Sequence, residues 1–548
     1  MKKQIYLVLM IAGLFAFGSC SLDKLPSGDI FTEGQKEGVI DPSPEKLQGD
    51  INGLAAGLTR FNVLAYEDHF DFGFPSVCLI LESLGQDLVA PHVGYNHFRQ
   101  PQEYSDKLVT SPYSEFIWRT FYYNILNANK ILGFAPEGTE DKVLQQYRGQ
   151  ALGYRAFSYL NLVQIYQFTY VNNKDKPGVP LILEENEPLG YENPRATVEA
   201  VYNQIMKDLT EAIDLLEGFA PKNKGVISQN VAYGLRARAN LLMHKWKEAA
   251  EDAEKAMSGF RPATLEEVSV PGFNSADAQN WIWGILLNSE AEVVQTGIIN
   301  WPSMLCSLTG NGYTTLTGTF RSANVNFWSE IPESDIRRDW FVYYKPNDLN
   351  EESDVILNSE LVKNYIFDGK NKKGDNIKIS LADYLEYDLY TNVKFHAYKS
   401  ELFNTENASD WPLMRVEEMI LIQAEGLAMS GNLSGAKNVL EAFVRANRDS
   451  EFQSVATTPE AFQEEVWLQR RMELWGEGFS FFDLMRLEKG VTRYQGDSSY
   501  PNVVQYNLAA NDPILLYPIP EAEINVNDAI SEKDNNPPAQ KPKPVSSK

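Results

Sequence analysis

The chain has 548 residues, of which 43% are hydrophobic and 22% charged, a composition that can bury a large core and is unlike a disordered or collagen-like chain. A formal net charge of −25 argues against a nucleic-acid protein, since neutralising phosphates needs clustered Lys and Arg. Only 3 cysteines are present, which excludes a disulfide scaffold.

Residues 1–20 read MKKQIYLVLMIAGLFAFGSC. Lys2 and Lys3 make a basic start, and Ile5 to Phe17 is an apolar run of 13 residues, too short to span a bilayer but suited to an export signal. The small residues Gly18 and Ser19 precede Cys20, the bacterial lipoprotein pattern. Cleavage is expected after residue 19, with Cys20 then carrying diacylglycerol on its thiol and a further acyl chain on its amine. Each buried methylene adds roughly 0.8 kcal/mol, so more than one chain makes a stable anchor. An ordinary signal peptide with an incidental cysteine is the competing interpretation. No later segment reaches 18 continuous apolar residues. Cys78 and Cys306 either pair or sit free in the core.

Residues 20–44, with Pro26, Gly28, Pro42 and Pro44, are expected to form an extended lipidated tether. Residues 45–530 are expected to be a single domain. Its helical scaffold covers 45–257 and 412–490, and a loop-rich region occupies 258–411. Apolar residues at helical spacing predict helices over Tyr113–Leu132, Val143–Phe168 and Thr197–Leu216, the last with Thr197 as N-cap. Ser228–Met257 predicts two antiparallel helices whose alanines allow close approach. Arg415–Arg448 predicts another hairpin, turning at Gly431 and Asn432. The fold class is therefore mainly α: tetratricopeptide-like hairpins at irregular spacing, packed as a scaffold with few short strands.

In residues 258–411 helical periodicity fades, yet Trp281, Trp283, Trp301, Trp328, Trp340 and Trp411 lie there, six of the chain's 10 tryptophans. Residues 531–548 are rich in Pro, Lys and Asn and read as a mobile tail.

No P-loop, H-E-x-x-H or G-x-S-x-G motif occurs. His92 and His97 are close in sequence but make a poor metal site alone, so no metal or cofactor is expected. Asp368–Asp375 lacks the acidic ladder of a calcium loop and reads as a turn between strands. The neighbouring pairs Glu417–Glu418 and Glu464–Glu465 point about 100° apart on a helix and do not converge on one bond. A sugar can stack its C–H face on an aromatic ring while polar side chains hold its hydroxyls. The candidate ligand-binding residues are Tyr95, Arg99, Trp283, Trp301, Tyr313 and Trp328, with Asn96, Asn311, Arg321 and Asn324 nearby. Tryptophan is highly buried on average, so a core position competes with a surface one for each ring.

Ordered motifs then carry a family resemblance from Cys20 to about Asn525. They begin with Trp118, Tyr122, Ile125, Ala128, Asn129 and Leu132, followed by Arg155-Ala156 with Tyr159, and Gly178-Val179-Pro180. Next come Arg195-Ala196-Thr197-Val198 with Tyr202, Ile205 and Asp208, and then Arg415, Glu418-Met419 and Ala424-Glu425. Last are Arg470-Arg471, Glu473-Leu474, Glu477-Gly478, Asp483 and Arg486, and Leu516, Pro518-Ile519-Pro520, Glu523 and Asn525. The sequence resembles the SusD/RagB family of nutrient-binding outer-membrane lipoproteins. It departs at Gln469 and Ser480, where the late block often has an acid and an arginine. The charged motif residues are expected to pair along and between helices, not to catalyse.

The resemblance implies a non-catalytic glycan binder, lipid-anchored on the exterior of the outer membrane, that delivers oligosaccharide to a SusC-like TonB-dependent transporter. A surface glycoside hydrolase with a helical scaffold and a peptide-binding member of the same family are the alternatives.

Overall fold

The computed structural model describes residues 44–545, apart from 67, 93, 185–191, 346–355, 358–365, 371–375 and 381–386. Cys20, the expected export signal and the expected tether before residue 44 lie outside the described residues. Contacts separate residues 1–47 from 48–548, and the second unit carries the architecture below.

Among the described residues, the scaffold helices include α1 Phe74–Leu84, α2 Pro112–Phe134, α3 Lys142–Tyr166, α4 Val198–Leu215, α5 Gln229–Leu242, α6 Trp246–Ala256, α7 Val416–Met429, α8 Leu433–Asn447 and α9 Pro459–Glu473. Their starts are set by local capping. Asp141 accepts from the N–H groups of Val143 and Leu144 at 2.8 and 3.0 Å. Thr197 accepts from Ala200 N at 3.1 Å and Asn432 from Gly435 N at 3.0 Å. Each cap satisfies an amide that the helix itself cannot pair.

From α2 to α8 each helix packs on the next in order, so the two hairpins α5–α6 and α7–α8 are neighbours although the loop-rich region separates them in sequence. Small residues let α6 and α7 touch: a Cβ on Gly426 would lie 2.5 Å from Trp246 O and 3.1 Å from Ala250 Cβ. Arg238 on α5 binds the Glu418 carboxylate through Nε and Nη2, both at 2.7 Å, and ties the hairpins together. The dispersed motif residues Asn129, Arg155 and Asp208 also meet. Arg155 donates to both Asp208 oxygens at 2.8 Å and to Asn129 Oδ1 at 3.0 Å, linking α2, α3 and α4.

The strands are short. Among those described are β1 Leu88–Val89, β2 Trp281–Ile285, β3 Ser322–Ala323, β4 Ile366–Lys370, β5 Asn376–Ser380 and β6 Trp411–Arg415. β2 and β6 pair antiparallel, with Trp411 opposite Ile285 and Arg415 opposite Trp281, and so close the base of the inserted region. β4 and β5 pair with Asp368 opposite Lys378, which places Asp368–Lys370 and its partner strand on either side of the expected turn.

The inserted region is held to the scaffold by buried charge. Four cations (Arg337, Lys394, Arg415, Arg448) and four carboxylates (Asp335, Glu417, Glu473, Glu477) are each no more than 4% exposed and pair with one another. The signs balance, which offsets much of the desolvation cost. The pairing runs between elements. Arg470 binds Asp483 at 2.7 Å, while Arg471 binds Asp87 at 2.8 Å and Glu330 at 2.7 Å. The expected along-helix pairing among Arg470, Arg471, Glu473 and Glu477 is not seen among the described residues, because each side chain meets a partner from another element. Gln469 still serves the network as a neutral acceptor, taking a 2.6 Å bond from Arg337 Nη2.

Ser480 leaves a different trace. Glu82 on α1 is fully buried, and its Oε2 has no partner among the described residues. Its Oε1 accepts from Gly478 N at 2.8 Å and weakly from Ser480 N at 3.5 Å, with no arginine at position 480 to pair it. Burial pushes its carboxyl up from 4.5 to about 8, against the pull of the Gly478 amide. A raised folded-state value means the folded chain holds this proton more tightly. The resulting stability is therefore complete below about pH 4.5 and disappears as pH rises through 8. Glu82→Gln is expected to change little at pH 5 and to stabilise the protein by about 2–4 kcal/mol at pH 9. Thermal melts of both proteins at the two pH values check this. A melting-temperature gap that does not widen with pH contradicts a protonated Glu82.

Cys78 and Cys306 are both buried and unpaired, and burial pushes both thiols up. The segment after residue 530 starts with a 3₁₀ turn at Glu532–Asp534. Asn535 Oδ1 accepts from Ile519 N at 2.8 Å, and Asn536 donates to Tyr166 O at 2.8 Å.

Candidate functional site

Strand pairing assembles the site from segments far apart in sequence. β1 lies antiparallel to β3, with Leu88 opposite Ala323 and Val89 opposite Ser322. That register sets the loop residues after β1, 90–92 and 94–98, beside the segment leading into β3. A short helix, Tyr313–Thr317, stops in that segment at Gly318, whose φ of 66° favours glycine. Thr319 N then returns to Tyr313 O at 3.0 Å. A third segment arrives from the loop before α1, where buried Asp71 accepts from Leu64 N at 2.8 Å and holds the chain around His69.

Four rings meet there. His69 stacks on His97 with centroids 4.8 Å apart. Tyr313 lies 4.8 Å from His97 and 5.8 Å from both His69 and Tyr95. The Tyr313 hydroxyl and His69 Nδ1 share a hydrogen bond. Tyr113 on α2 stacks on Phe70 at 3.9 Å and donates its hydroxyl to His97 O, which fixes the 97 backbone to the scaffold. Tyr95 is 61% exposed at the edge of the cluster, and Tyr313 only 7%.

Beside the rings is a cavity of about 280 Å³ lined by Asp68, Asn96, His97, Arg99, Gln100 and Tyr113, among others. Its size is near the lower end of small-molecule sites, about 300–1,000 Å³. His97 Nε2 is buried without a partner among the described residues. Burial, with His69 and Arg321 nearby, pulls its pKa down to about 4, so the ring is neutral at pH 7. The mouth therefore offers an exposed phenol face, two amide side chains, one carboxylate and one guanidinium, with the unsatisfied imidazole nitrogen buried behind them. A larger cavity of about 390 Å³, between residues 107–110 and 513–539, has no aromatic lining.

Of the six residues expected to bind ligand, the structure brings Tyr95 and Tyr313 together and puts Arg99 on the cavity rim. Trp283 and Trp301 are corrected to core positions at 0% and 1% exposure. Trp283 packs edge-on against Phe157 of α3 at 5.1 Å. Trp301 packs against Trp411 at 5.2 Å and donates from Nε1 to Ser409 O at 2.8 Å. A region without a periodic apolar face uses large rings to build its core, and tryptophan enrichment there reports that need. Trp328 is half-buried. Its neighbours are Tyr343, Tyr390 and the Arg338 guanidinium, which lies 3.7 Å from its ring centre, and none belongs to the cluster. Asn311 and Asn324 are likewise used internally, donating to Gly297 O and Gln86 O at 3.2 and 3.3 Å. His69 was not legible as a site residue. No motif marks it, and its partner Tyr313 is 244 residues away.

Among the described residues, no group of three or more His, Cys, Asp or Glu side chains is placed to hold a metal ion. No helix among them is long and apolar enough to cross a membrane.

Residues 80–241 match the family described as starch-binding and associating with the outer membrane, and residues 302–537 match the SusD family. Together these segments span well over half of the chain. The chain belongs to the SusD family. Solved structures agree on the fold. A SusD-like carbohydrate-binding protein from Bacteroides vulgatus aligns with a TM-score of 0.69 at 23% identity, covering 90% of this chain and 98% of the other. A SusD superfamily protein from Bacteroides thetaiotaomicron gives 0.66 at 18% identity over 90% and 100% of the two chains. A laminarin-binding SusD-like protein gives 0.60 at 19% identity over 89% and 99%. No curated protein sequence matches the chain. The mainly helical architecture with few short strands is the one expected from the hairpin pattern, and its SusD-like fold is the one that the motif resemblance implied.

Proposed function

We propose that this SusD-family chain is a cell-surface glycan-binding lipoprotein that captures an oligosaccharide at the Tyr95–Tyr313–His97 mouth and passes it, uncleaved, to a SusC-like TonB-dependent transporter. The observation that carries this reading is the exposed Tyr95 face beside a concave polar wall that includes Asp68, Arg99 and Gln100. A sugar ring can stack on the phenol while its hydroxyls bond Asp68, Arg99 and Gln100. The descriptions of two relatives, one carbohydrate-binding and one laminarin-binding, support the ligand class.

The absence of catalysis is inferred from the lining. Glycoside hydrolysis generally uses two carboxyl groups flanking the scissile bond, and Asp68 is the single carboxylate among the residues that line this cavity. Lipid on Cys20 would keep the binder at the outer surface beside its transporter, where tethering raises the effective ligand concentration.

The test is affinity electrophoresis through gels containing starch, laminarin, xylan, mannan, pectin or alginate, with a reducing-end assay on the same mixtures. Retardation by at least one polysaccharide without new reducing ends is expected. Retardation by none rejects glycan binding, and released reducing ends reject the non-catalytic reading.

A further inference from the structure

Behind the cavity wall lies a cation with no counter-charge among the described residues. Arg321 is 1% exposed. Its guanidinium donates to Asn96 Oδ1 at 3.2 Å and Thr319 O at 3.3 Å, both long bonds, and passes 5.7 Å from the Phe98 ring. No carboxylate among the described residues pairs with it.

Other buried arginines of this chain are differently placed. Arg415, Arg448 and Arg337 each meet carboxylates. Arg493 has none, but it donates to four backbone carbonyls at 2.6–3.3 Å. Arg321 has neither arrangement, in a chain with 74 acidic residues against 49 basic ones. Burial alone pulls its pKa down, to about 10, so it remains charged at pH 7. An unpaired charge in a low-dielectric wall attracts an anion much more strongly than a surface charge does.

Arg321 does not itself line the ligand cavity but lies one side chain behind it. Asn96, its acceptor, lines the cavity, and Thr319 Oγ1 faces Gly94, another lining residue. The Arg321 charge is felt at His97. Arg99 adds a second cation at the rim, with Nε 3.4 Å from Glu103. Glu103 also pairs with Lys541 at 2.7 Å and lies 3.4 Å from His92. Asp68 is the carboxylate on the opposing side of this balance.

We propose that the glycan taken at this site carries an acidic group, a uronate carboxylate or a sulfate ester, that seats against the Asn96–His97 wall backed by Arg321. This rests on the glycan-binding reading above. The anion supplies the missing counter-charge, while neutral sugars leave Arg321 as it is. Asn96 Oδ1 is held by Arg321 and by Phe98 N at 3.1 Å, and its Nδ2 donates to Pro91 O at 2.7 Å, so the wall is rigid when ligand arrives.

The test is calorimetric titration of wild-type protein, Arg321→Gln and Tyr95→Ala. The acidic probes are oligogalacturonate, alginate, hyaluronan and chondroitin sulfate oligosaccharides. Each is paired with its methyl-esterified or desulfated counterpart, and neutral laminari-, malto- and xylo-oligosaccharides complete the set. At least one acidic probe is expected to bind the wild type tenfold or more tighter than its neutralised counterpart. Arg321→Gln is expected to cut that ratio below threefold. A neutral saccharide bound through Tyr95 with no acidic preference overturns the inference while leaving the glycan site standing. So does an acidic preference that survives Arg321→Gln. Binding of no saccharide, or binding untouched by Tyr95→Ala, overturns the site and the inference together. Should Arg321→Gln fail to fold, the wild-type ratio decides alone.

Discussion

Glu473→Ala is expected to abolish stable folding. Glu473 accepts from Arg448 at 2.8 and 2.9 Å, from Arg415 at 3.1 Å and from Arg337 at 3.4 Å, all within the core. Alanine would leave four buried cations facing three carboxylates. Breaking one buried pair by removing a single partner costs about 3–5 kcal/mol, and here three guanidiniums lose an acceptor at once. Whole-domain stabilities are only about 5–15 kcal/mol, so the expected result is insoluble protein or a melting temperature lowered by more than 10 °C.

Glu473→Gln keeps the volume and one acceptor oxygen and is expected to fall between wild type and alanine. Circular-dichroism melts of the three proteins check the order, and an alanine variant that melts within 2–3 °C of wild type contradicts the account. Acid should act on the same network. Burial pushes Glu473 up, but Arg448, Arg415 and Arg337 outweigh it and hold the carboxyl well below its usual range. Glu477 and Asp483 are lowered by their own cationic partners against the same burial. Depressed folded-state values mean the stability is present above about pH 4.5. It is lost as pH falls and the unfolded chain takes up these protons first.

Tyr95→Ala is expected to weaken glycan binding roughly 2- to 13-fold while leaving the melting temperature within 2 °C. The ring is 61% exposed, so the fold loses little apolar burial when it is removed. A stacked sugar loses most of its platform, and aromatic contacts of this type are worth about 0.5–1.5 kcal/mol, or roughly 2- to 13-fold in affinity. Tyr313→Phe removes only the hydroxyl shared with His69 and is expected to weaken binding less. Trp301→Ala is the counter-case. Its ring is buried against Trp411 and Phe395, so it is expected to cost about 3–5 kcal/mol of stability and to spare affinity in whatever fraction stays folded. Affinity electrophoresis and thermal melts on the same preparations separate the two. Equal loss of binding in a folded Trp301 variant would move the site away from Tyr95.

Much of the scaffold was legible before the fold was known. The 3.6-residue spacing over Tyr113–Leu132, the Thr197 cap and the alanines of Trp246–Ala256 act within one or two turns of chain, so they can be read locally. The arginine and glutamate motifs were legible as structural but not as to partner. Arg471 meets Asp87, 384 residues away, and local spacing suggests helix neighbours instead. The site was half legible. Tyr95 stands in a polar loop and is exposed, but Tyr313, in similarly polar sequence, is buried, and so are Trp283 and Trp301.

The sequence by itself determined where helices begin, turn and pack as hairpins, because capping and amphipathic spacing are properties of short segments. Only the tertiary structure decided which rings face solvent, and that segments 68–71, 95–100 and 313–321 form one mouth. Exposure and proximity depend on which distant chain covers each residue, here through the pairing of two-residue strands at Leu88–Val89 and Ser322–Ala323, too short to leave a periodic signal.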